Sequence, residues 1–295
     1  MRRTALISFF MSVGLPALLL CQTDLTPLSS LDVDVYGNVY ILDALKNTVT
    51  LLSKSRDTLY TTGGPGWRDS QFDRPSGIWA RNGIDVFVAY YGNHRVQRFD
   101  RGLTFVNSLS TRESNEPGQR FGYPSDVALS RMGELFVCDT ENERIVKINS
   151  QNKVELSIGG FDAGKGRLHN PTRLDIGPED HLYILDGPRV MTYDMFGNFL
   201  HELYQGMFAG PSFLFADAER IMVLDDSLLY CFDAAERPAG VMRIRSIPGM
   251  ADAKVRGFAA DNEQLFFLAE TGLVTCPNPC AGGGKDRIDK DGKSR

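Results

Sequence analysis

The chain has 295 residues, of which 42% are hydrophobic and 23% are charged, so it contains enough apolar material for a sizeable core. Its formal net charge of −5 argues against nucleic acid as a partner, because proteins that bind phosphate backbones usually carry a basic surface. After residue 21, no segment is long and apolar enough to be a membrane-spanning helix.

Residues 1–21 are predicted to be a secretory signal peptide. Arg2 and Arg3 form a positive start, and the apolar stretch behind them is short and broken by a glycine and a proline. Export to the periplasm, the cell surface or the extracellular space is therefore expected. Cys21 leaves two alternatives open. Its lipidation would attach the protein to a membrane, whereas cleavage after it would leave Gln22 as the first residue.

From residue 28 onward, one pattern recurs along the chain. Each copy contains short alternating or apolar runs separated by Gly, Asn and Asp, which is typical of β-strands joined by turns. A repeat of this length indicates a solenoid or a propeller. Four strands in each of six copies predict an all-β, six-bladed β-propeller of four-stranded antiparallel blades, spanning residues 22–280. The copies begin near Leu28, Pro75, Pro124, Pro171, Pro211 and Val255.

The sixth copy contains only about three predicted strands before Pro277 and Pro279 end it. Because a ring of blades must be closed, residues 22–27 are predicted to supply the missing outer strand from the N-terminal side. Residues 281–295 are rich in Gly, Lys and Asp and are predicted to be a disordered tail.

Several polar residues recur at fixed places in the repeat. An aspartate ends the second strand and can accept hydrogen bonds from a turn, and an arginine near the start of the third strand can reach the adjacent blade. A residue that recurs in blade after blade is better explained by structure than by a single site. These residues are Asp43, Asp139, Asp186 and Asp225, with Arg95, Arg144 and Arg189.

The clearest copy starts at Pro124, has Gly133 at its first turn, and continues through Val137-Cys138-Asp139 and Asn142-Glu143-Arg144-Ile145. This pattern resembles the NHL-repeat family of six-bladed β-propellers, in its secreted bacterial form. The resemblance extends over about residues 28–275. It implies the fold but little about function, because propellers of this kind include both enzymes and binding scaffolds.

The resemblance also extends to six-bladed lactonases of the gluconolactonase type, which implies carboxylates and amides around the central channel that hold a divalent cation. The third residue of each first strand is expected to face the upper channel. In this chain the six residues at that position do not form a cation-binding site. Asp126 and Arg173, which are two of them, are predicted to pair with each other at the channel mouth. The six residues are Ser30, Gly77, Asp126, Arg173, Phe213 and Gly257.

Zinc-dependent propeller lyases of the peptide-amidating type use histidines from several blades, so the four histidines are the remaining candidates. His94 and His169 are expected on one face, His181 on the opposite face, and His201 after a third strand. They are not expected to converge on one ion. No metal site, cofactor or catalytic residue is therefore predicted.

The cysteines after residue 21 suggest packing and one possible bridge. Cys138 and Cys231 lie in strand-like runs and are predicted to be small buried apolar residues. Cys276 and Cys280 could form a disulfide in an oxidising compartment.

The connections after the first three copies are long: 61–74, 110–123 and 158–170. In a propeller they share one face with the second hairpins, and that face collects aromatic and basic residues, which dominate recognition surfaces. Phe72, Phe121 and Leu168 are predicted to be plugs between blades, whereas Trp67, Tyr90, Tyr91 and Tyr123 are predicted to be exposed. The candidate binding residues are Trp67, Arg68, Arg74, Tyr90, Tyr91, His94, Arg120, Tyr123, Arg167 and His169, with Phe161 on the same face.

The leading hypothesis is a monomeric, exported binding scaffold for a protein, a peptide or a glycan, with no enzymatic activity. The alternative is a metal-dependent hydrolase or lyase, lactonase-like, that uses the channel near Asp126 and Arg173. A membrane is expected as a partner only if Cys21 is lipidated.

Overall fold

The computed structural model describes residues 29–111, 114–149 and 151–280. Within these ranges the chain forms 23 β-strands in six antiparallel sheets, without an α-helix. No helix in these ranges could therefore span a membrane. The predicted signal peptide, the predicted closing strand at 22–27 and the predicted tail at 281–295 lie outside the described residues and remain predictions.

Each sheet is one blade, and its strands follow one another in chain order. Blade 1 contains β1 (Ser29–Val33), β2 (Val39–Asp43), β3 (Thr48–Leu52) and β4 (Thr58–Gly63); blade 2 contains β5 (Pro75–Trp79), β6 (Asp85–Tyr90), β7 (Arg95–Asp100) and β8 (Phe105–Leu109). Blade 3 contains β9 (Pro124–Leu129), β10 (Leu135–Asp139), β11 (Arg144–Ile148) and β12 (Val154–Ile158); blade 4 contains β13 (Pro171–Ile176), β14 (Leu182–Asp186), β15 (Arg189–Tyr193) and β16 (Phe199–Glu202). Blade 5 contains β17 (Pro211–Ala216), β18 (Arg220–Asp225), β19 (Leu228–Asp233) and β20 (Pro238–Arg243), and blade 6 contains β21 (Val255–Ala260), β22 (Gln264–Ala269) and β23 (Gly272–Pro277).

The first strand of each blade lies beside the first strand of the next, and β21 returns to lie beside β1. The predicted six-bladed β-propeller is therefore confirmed, as is the three-stranded sixth blade. We call the face that carries the second hairpins and the links between blades the upper face. The lower face carries the first and third hairpins.

The core lies between the blades. The second strands β2, β10, β14 and β18 are buried along their whole length, because each is covered on both sides by neighbouring blades. Phe72, Phe121 and Leu168 are almost fully buried in the clusters beneath the upper links, which confirms their role as plugs.

The cysteine predictions are partly wrong. The disulfide joins Cys231 to Cys280, whereas Cys276 is a free thiol and Cys138 is a buried free thiol. Strand β23 keeps Cys276 in register with Leu265. The turn after β23 then carries Cys280 to the wall of blade 5, where Cys231 faces the cluster shared with blade 6. The bridge therefore ties the end of the last blade to its neighbour.

Candidate functional site

The first long upper link, between β4 and β5, is held by the arginine that opens β7. The guanidinium of Arg95 donates to the carbonyl oxygens of Trp67 (2.7 Å), Arg68 (3.0 Å) and Gln71 (2.6 Å). Arg95 is itself buried, so these bonds are shielded from water. The backbone of this link is therefore fixed, while the side chains of Trp67 and Arg68 are exposed.

The same clamp recurs at the next two links. Arg144 donates to the carbonyl oxygen of Arg120, and Arg189 donates to that of Arg167 (3.2 Å). The aspartates that end the second strands accept backbone N–H groups from the links before their blades. Asp139 accepts from Gly122, Asp186 from His169 and Asn170, and Asp225 from Ala209 and Gly210 in the link between blades 4 and 5. The predicted structural roles of these arginines and aspartates are confirmed.

The clamped links present large aromatic side chains to solvent. Trp67 is 62% exposed and Phe161 is 76% exposed, although both are of a type that normally packs inside. The guanidinium of Arg167 lies 4.6 Å from the centre of the Phe161 ring, and it also pairs with Glu143 at 3.1 Å. Arg68 and Arg120 are exposed beside them.

A second aromatic group lies between blades 2 and 3. The ring centres of Tyr91 and Tyr123 are 4.8 Å apart, and those of His94 and Tyr123 are 4.2 Å apart. The exposed guanidinium of Arg74 lies over Tyr91 at 5.5 Å. Tyr91 is exposed and Tyr123 is half-buried, so these two tyrosines form part of the upper surface.

Two candidates do not belong to that surface. Tyr90 is completely buried against Phe72, with ring centres 4.8 Å apart, so the prediction that it is exposed is wrong. It ends β6 one residue before the exposed Tyr91, and alternation along the strand turns its side chain inward. His94 is also buried, and its Nδ1 accepts a hydrogen bond from the backbone N–H of Tyr123 at 3.1 Å. His169 is exposed.

The channel contains a small cavity of about 30 Å³, enough for about one water molecule. Ser30, Asp126, Arg173 and Phe213 line it, together with Asp32, Arg81 and Asp175. Burial raises the pKa of Asp126 to about 7, although the charge of Arg173 opposes this shift. Asp126 accepts backbone N–H groups from Leu174, at 3.3 Å, and from Val127.

The predicted ion pair between Asp126 and Arg173 is not formed; none joins these two described residues. Arg173 instead crosses the channel, where its guanidinium donates to the carbonyl oxygen of Ser76 at 2.9 Å. The same group lies 5.6 Å from the Phe213 ring. The register that places both residues at the mouth was predictable, but the direction of a long arginine side chain was not.

The lower part of the channel is closed by a charged cluster that the sequence reading missed. Arg81, from the first hairpin of blade 2, donates to both carboxylate oxygens of Asp175 (2.9 and 2.7 Å) and to Asp32 (3.2 Å). Burial alone would lower the pKa of Arg81, but the two carboxylates outweigh burial and raise it. Asp32 and Asp175 occupy the repeat position that is apolar in the other four blades, and this is the signal that could have revealed them. Those four residues are Trp79, Ala128, Phe215 and Ala259.

No group of three or more His, Cys, Asp or Glu side chains that could hold a metal ion is found among the described residues. The histidines are dispersed as expected. His181 lies in a lower hairpin, and His201 lies in β16 at 2.5 Å from Glu236.

Comparison with known proteins identifies the repeat. Residues 121–148 match the model of the NHL repeat. Protein brain tumor of Drosophila melanogaster is 28% identical over 140 residues, which cover 46% of this chain and 13% of that protein. A probable peptidyl-alpha-hydroxyglycine alpha-amidating lyase, pgal-1 of Caenorhabditis elegans, is 27% identical over 115 residues, which cover 38% of this chain and 31% of that protein. The match thus spans less than a third of either relative.

Solved structures agree on the architecture. A gluconolactonase from Xanthomonas campestris superposes with a TM-score of 0.62 over 87% of this chain and 88% of its own. The two sequences are 14% identical, so this similarity shows the fold alone.

Proposed function

Taking the chain as a six-bladed β-propeller with an NHL repeat, we propose that it is an exported, non-enzymatic scaffold that binds a protein, a peptide or a glycan on its upper face. The observation that carries the proposal is the exposure of Trp67 on a link whose backbone is held by three hydrogen bonds from Arg95. A fixed backbone that presents an exposed aromatic ring loses little entropy when it binds a ligand. The binding surface consists of Trp67, Arg68, Arg74, Tyr91, Arg120, Tyr123, Phe161, Arg167 and His169.

The disulfide supports export. A bridge between Cys231 and Cys280 persists in oxidising compartments and is rare in a reducing cytosol. Together with the predicted signal peptide, it favours the periplasm, the cell surface or the extracellular space.

The binding surface can be tested by capture from an envelope extract. We expect the double variant Trp67→Ala, Tyr91→Ala to lose partners that the unchanged protein captures, with a melting temperature within a few degrees of it. Tyr36→Ala is the matched control, because Tyr36 is a 56% exposed aromatic residue in a lower hairpin. Equal capture by the double variant would refute the upper face as the binding surface.

Fluorescence gives a second readout. Trp67 is exposed, whereas Trp79, the other tryptophan, is buried. A ligand on the upper face is expected to shift the emission of the unchanged protein but not that of Trp67→Phe, which retains Trp79.

A second candidate function is a hydrolase or lyase at the channel mouth. The observation in its favour is Asp126, whose pKa of about 7 suits a general acid or base near neutral pH, with the cation of Arg173 nearby. In this reading, Asp126 would exchange a proton with the substrate and Arg173 would stabilise a developing negative charge.

The test is hydrolysis of a sugar lactone by the purified protein, with and without added calcium, together with metal analysis. Turnover that falls at least a hundredfold in Asp126→Asn would establish the second function. Absence of turnover under both conditions, combined with loss of capture in the Trp67 and Tyr91 variant, would leave the binding scaffold as the supported function.

A further inference from the structure

A cavity of about 530 Å³ lies on the upper face between blades 5 and 6. Volumes of about 300 to 1,000 Å³ are typical of sites that bind small molecules. One wall belongs to blade 5 and contains Gly210, Ser212 and the second hairpin at Asp226 and Ser227. The other wall comes from residues 244–254, the link from blade 5 to blade 6. The cavity is therefore separate from the aromatic surface, which lies on the links before blades 2, 3 and 4.

The cavity occurs where the arginine clamp of the earlier blades is missing. In blades 2–4, the residue opposite the end of the second strand is the clamping arginine: Arg95, Arg144 and Arg189. In blade 5 the residue in this register is Leu228, whose side chain cannot donate a hydrogen bond to a link. The link before blade 5 has eight residues, whereas those before blades 2, 3 and 4 have eleven, fourteen and twelve. The upper end of blade 5 is therefore covered less than the upper ends of those blades.

Hydrogen bonds and buried side chains hold the link wall in place. Ile244 donates its backbone N–H to the carbonyl oxygen of Ser227 at 2.8 Å, which joins the link to the second hairpin. Three successive turns then fold the link, with backbone bonds from Ile247 to Ile244, from Met250 to Ile247 and from Ala253 to Met250. Ile244, Ile247 and Met250 are buried in the cluster shared by blades 5 and 6. The cavity is therefore preformed, and a ligand need not order its walls.

Four charged side chains line the cavity. Arg245, Asp252 and Lys254, from the link, are exposed and form no ion pair or side-chain hydrogen bond within the described part of the chain. The carboxylate of Asp226, on the blade 5 wall, accepts a bond from the hydroxyl of Ser227 at 3.2 Å, and no cation among the described residues pairs with it. Two positive and two negative groups therefore surround one space without neutralising each other.

This arrangement suits a ligand that carries one charge of each sign. Elsewhere on the upper face a cation and a carboxylate within reach pair directly, as Arg167 and Glu143 do at 3.1 Å. A simple anion in the cavity would be attracted by two cations but repelled by two carboxylates, and a simple cation would meet the reverse. A molecule with an ammonium group and a carboxylate can instead form charge-assisted hydrogen bonds with both sets.

We propose that the cavity between blades 5 and 6 binds a free amino acid or a short peptide by its two charged ends. Arg245 and Lys254 bind the carboxylate, and Asp226 and Asp252 bind the ammonium group. The hydroxyl oxygen of Ser212 can accept an amide N–H between the two ends. This site is distinct from the aromatic surface, so the inference goes beyond the proposed scaffold function and does not depend on it.

Isothermal titration calorimetry of the full chain with alanine, dialanine and trialanine tests the class of ligand. At least one of the three is expected to bind with a Kd of about 1 mM or tighter. Tighter binding of alanine would identify the ligand as a free amino acid, and tighter binding of the peptides would identify it as a short peptide. Absence of binding by all three at about 10 mM would overturn the proposal.

End-blocked probes test whether both charges are recognised. N-acetylation removes the ammonium charge, and C-amidation removes the carboxylate charge. Each blocked form of the probe that binds best is expected to bind at least about tenfold more weakly than the unblocked form. Equal binding of the blocked and unblocked forms would show that the charges are not recognised, and would also overturn the proposal.

Two double variants assign the two ends of the ligand. Arg245→Gln, Lys254→Gln is expected to bind the unblocked probe at least about tenfold more weakly and to lose the discrimination against the amidated form. Asp226→Asn, Asp252→Asn is expected to lose the discrimination against the acetylated form. Both variants should keep the melting temperature within a few degrees, because these side chains have no ionic partner among the described residues.

The matched control is Arg131→Gln, which removes an exposed cation from the lower face and should bind the probes as the unchanged protein does. Discrimination that persists in both double variants would show that the probe binds elsewhere and would overturn the assignment of the cavity. The blocked probes decide the matter if a double variant fails to fold.

Discussion

The two ends of the channel contain similar side chains, but the charged groups form ion pairs at the lower end and not at the upper end. At the lower end, Arg81 pairs with Asp32 and Asp175, and these carboxylates also accept the backbone N–H groups of Ala80 and Ala216. At the upper end, Asp126 and Arg173 do not pair. The lower cluster joins blades 1, 2, 4 and 5 across the axis, whereas the upper residues leave Asp126 without an ion pair; both groups line the same small cavity.

The difference shows how burial acts on charge. Removing a carboxylate from water is unfavourable, and pairing offsets only part of that cost, because burial raises the pKa of Asp175 to about 6 although Arg81 donates to both of its oxygens. At Asp126, which has no ion pair, burial raises the pKa further, to about 7. The unpaired carboxyl group therefore retains its proton to higher pH than the paired one, which suits it better to acid–base chemistry.

The largest expected effect comes from breaking the lower cluster. Arg81→Leu leaves two buried carboxylates without their cation, which costs about 4 kcal/mol of unfolding free energy. The melting temperature is expected to fall by roughly 10 °C in a thermal scan. The control is Arg131→Ala, because Arg131 is an exposed residue 3.8 Å from Asp180 and its loss should cost less than about 0.5 kcal/mol. Similar losses of unfolding free energy in both variants would contradict the view that burial makes the pairs of Arg81 more important for stability than the exposed pair of Arg131.

The next largest expected effect is a dependence of folding stability on pH, caused by Asp126 at the upper end of the channel. Because the pKa of Asp126 is raised to about 7, the folded state retains a proton that the unfolded state loses near its ordinary pKa of 3.8. Stability should therefore fall as pH rises from about 4 to about 7, by on the order of 3 kcal/mol.

Asp126→Asn removes this titration and should make that slope smaller, leaving the part that comes from Asp175, whose pKa burial raises to about 6; urea unfolding at pH 4, 6 and 8 would measure the change. The variant is expected to be more stable than the unchanged protein at pH 8. An unchanged slope would show that Asp126 ionises normally.

The smallest effect is a shift of the same titration. Arg173 lowers the pKa of Asp126, so Arg173→Met should move the loss of stability to higher pH. Arg173→Lys retains the positive charge and should move it less. NMR titration of the Asp126 carboxyl in the two variants is the direct measurement, and identical midpoints would show that Arg173 does not act on Asp126.

Much of the fold could be predicted because repetition supplies the evidence several times over. Pro75, Pro124, Pro171 and Pro211 were expected to start first strands, and each opens one. The exposure of Trp67 and Tyr91 was also expected. Tyr90 was assigned wrongly because a change of one residue in strand register reverses the side of the sheet.

The contacts between blades were not predictable in the same way. Arg81 and Asp175 are far apart in sequence, and only ring closure brings them to one axis. The cysteine that bonds Cys280 lies in another blade, although Cys276 is nearer in sequence. Such pairings depend on where long side chains and turns end after the blades have packed.

The sequence by itself determined the repeat, the strand order and the number of blades, because strand periodicity and turn residues act over short distances. Only the tertiary structure decided which charges pair, which cysteines join and which strand edge lacks a partner in the described chain. These depend on distances between residues that the chain separates and the ring brings together.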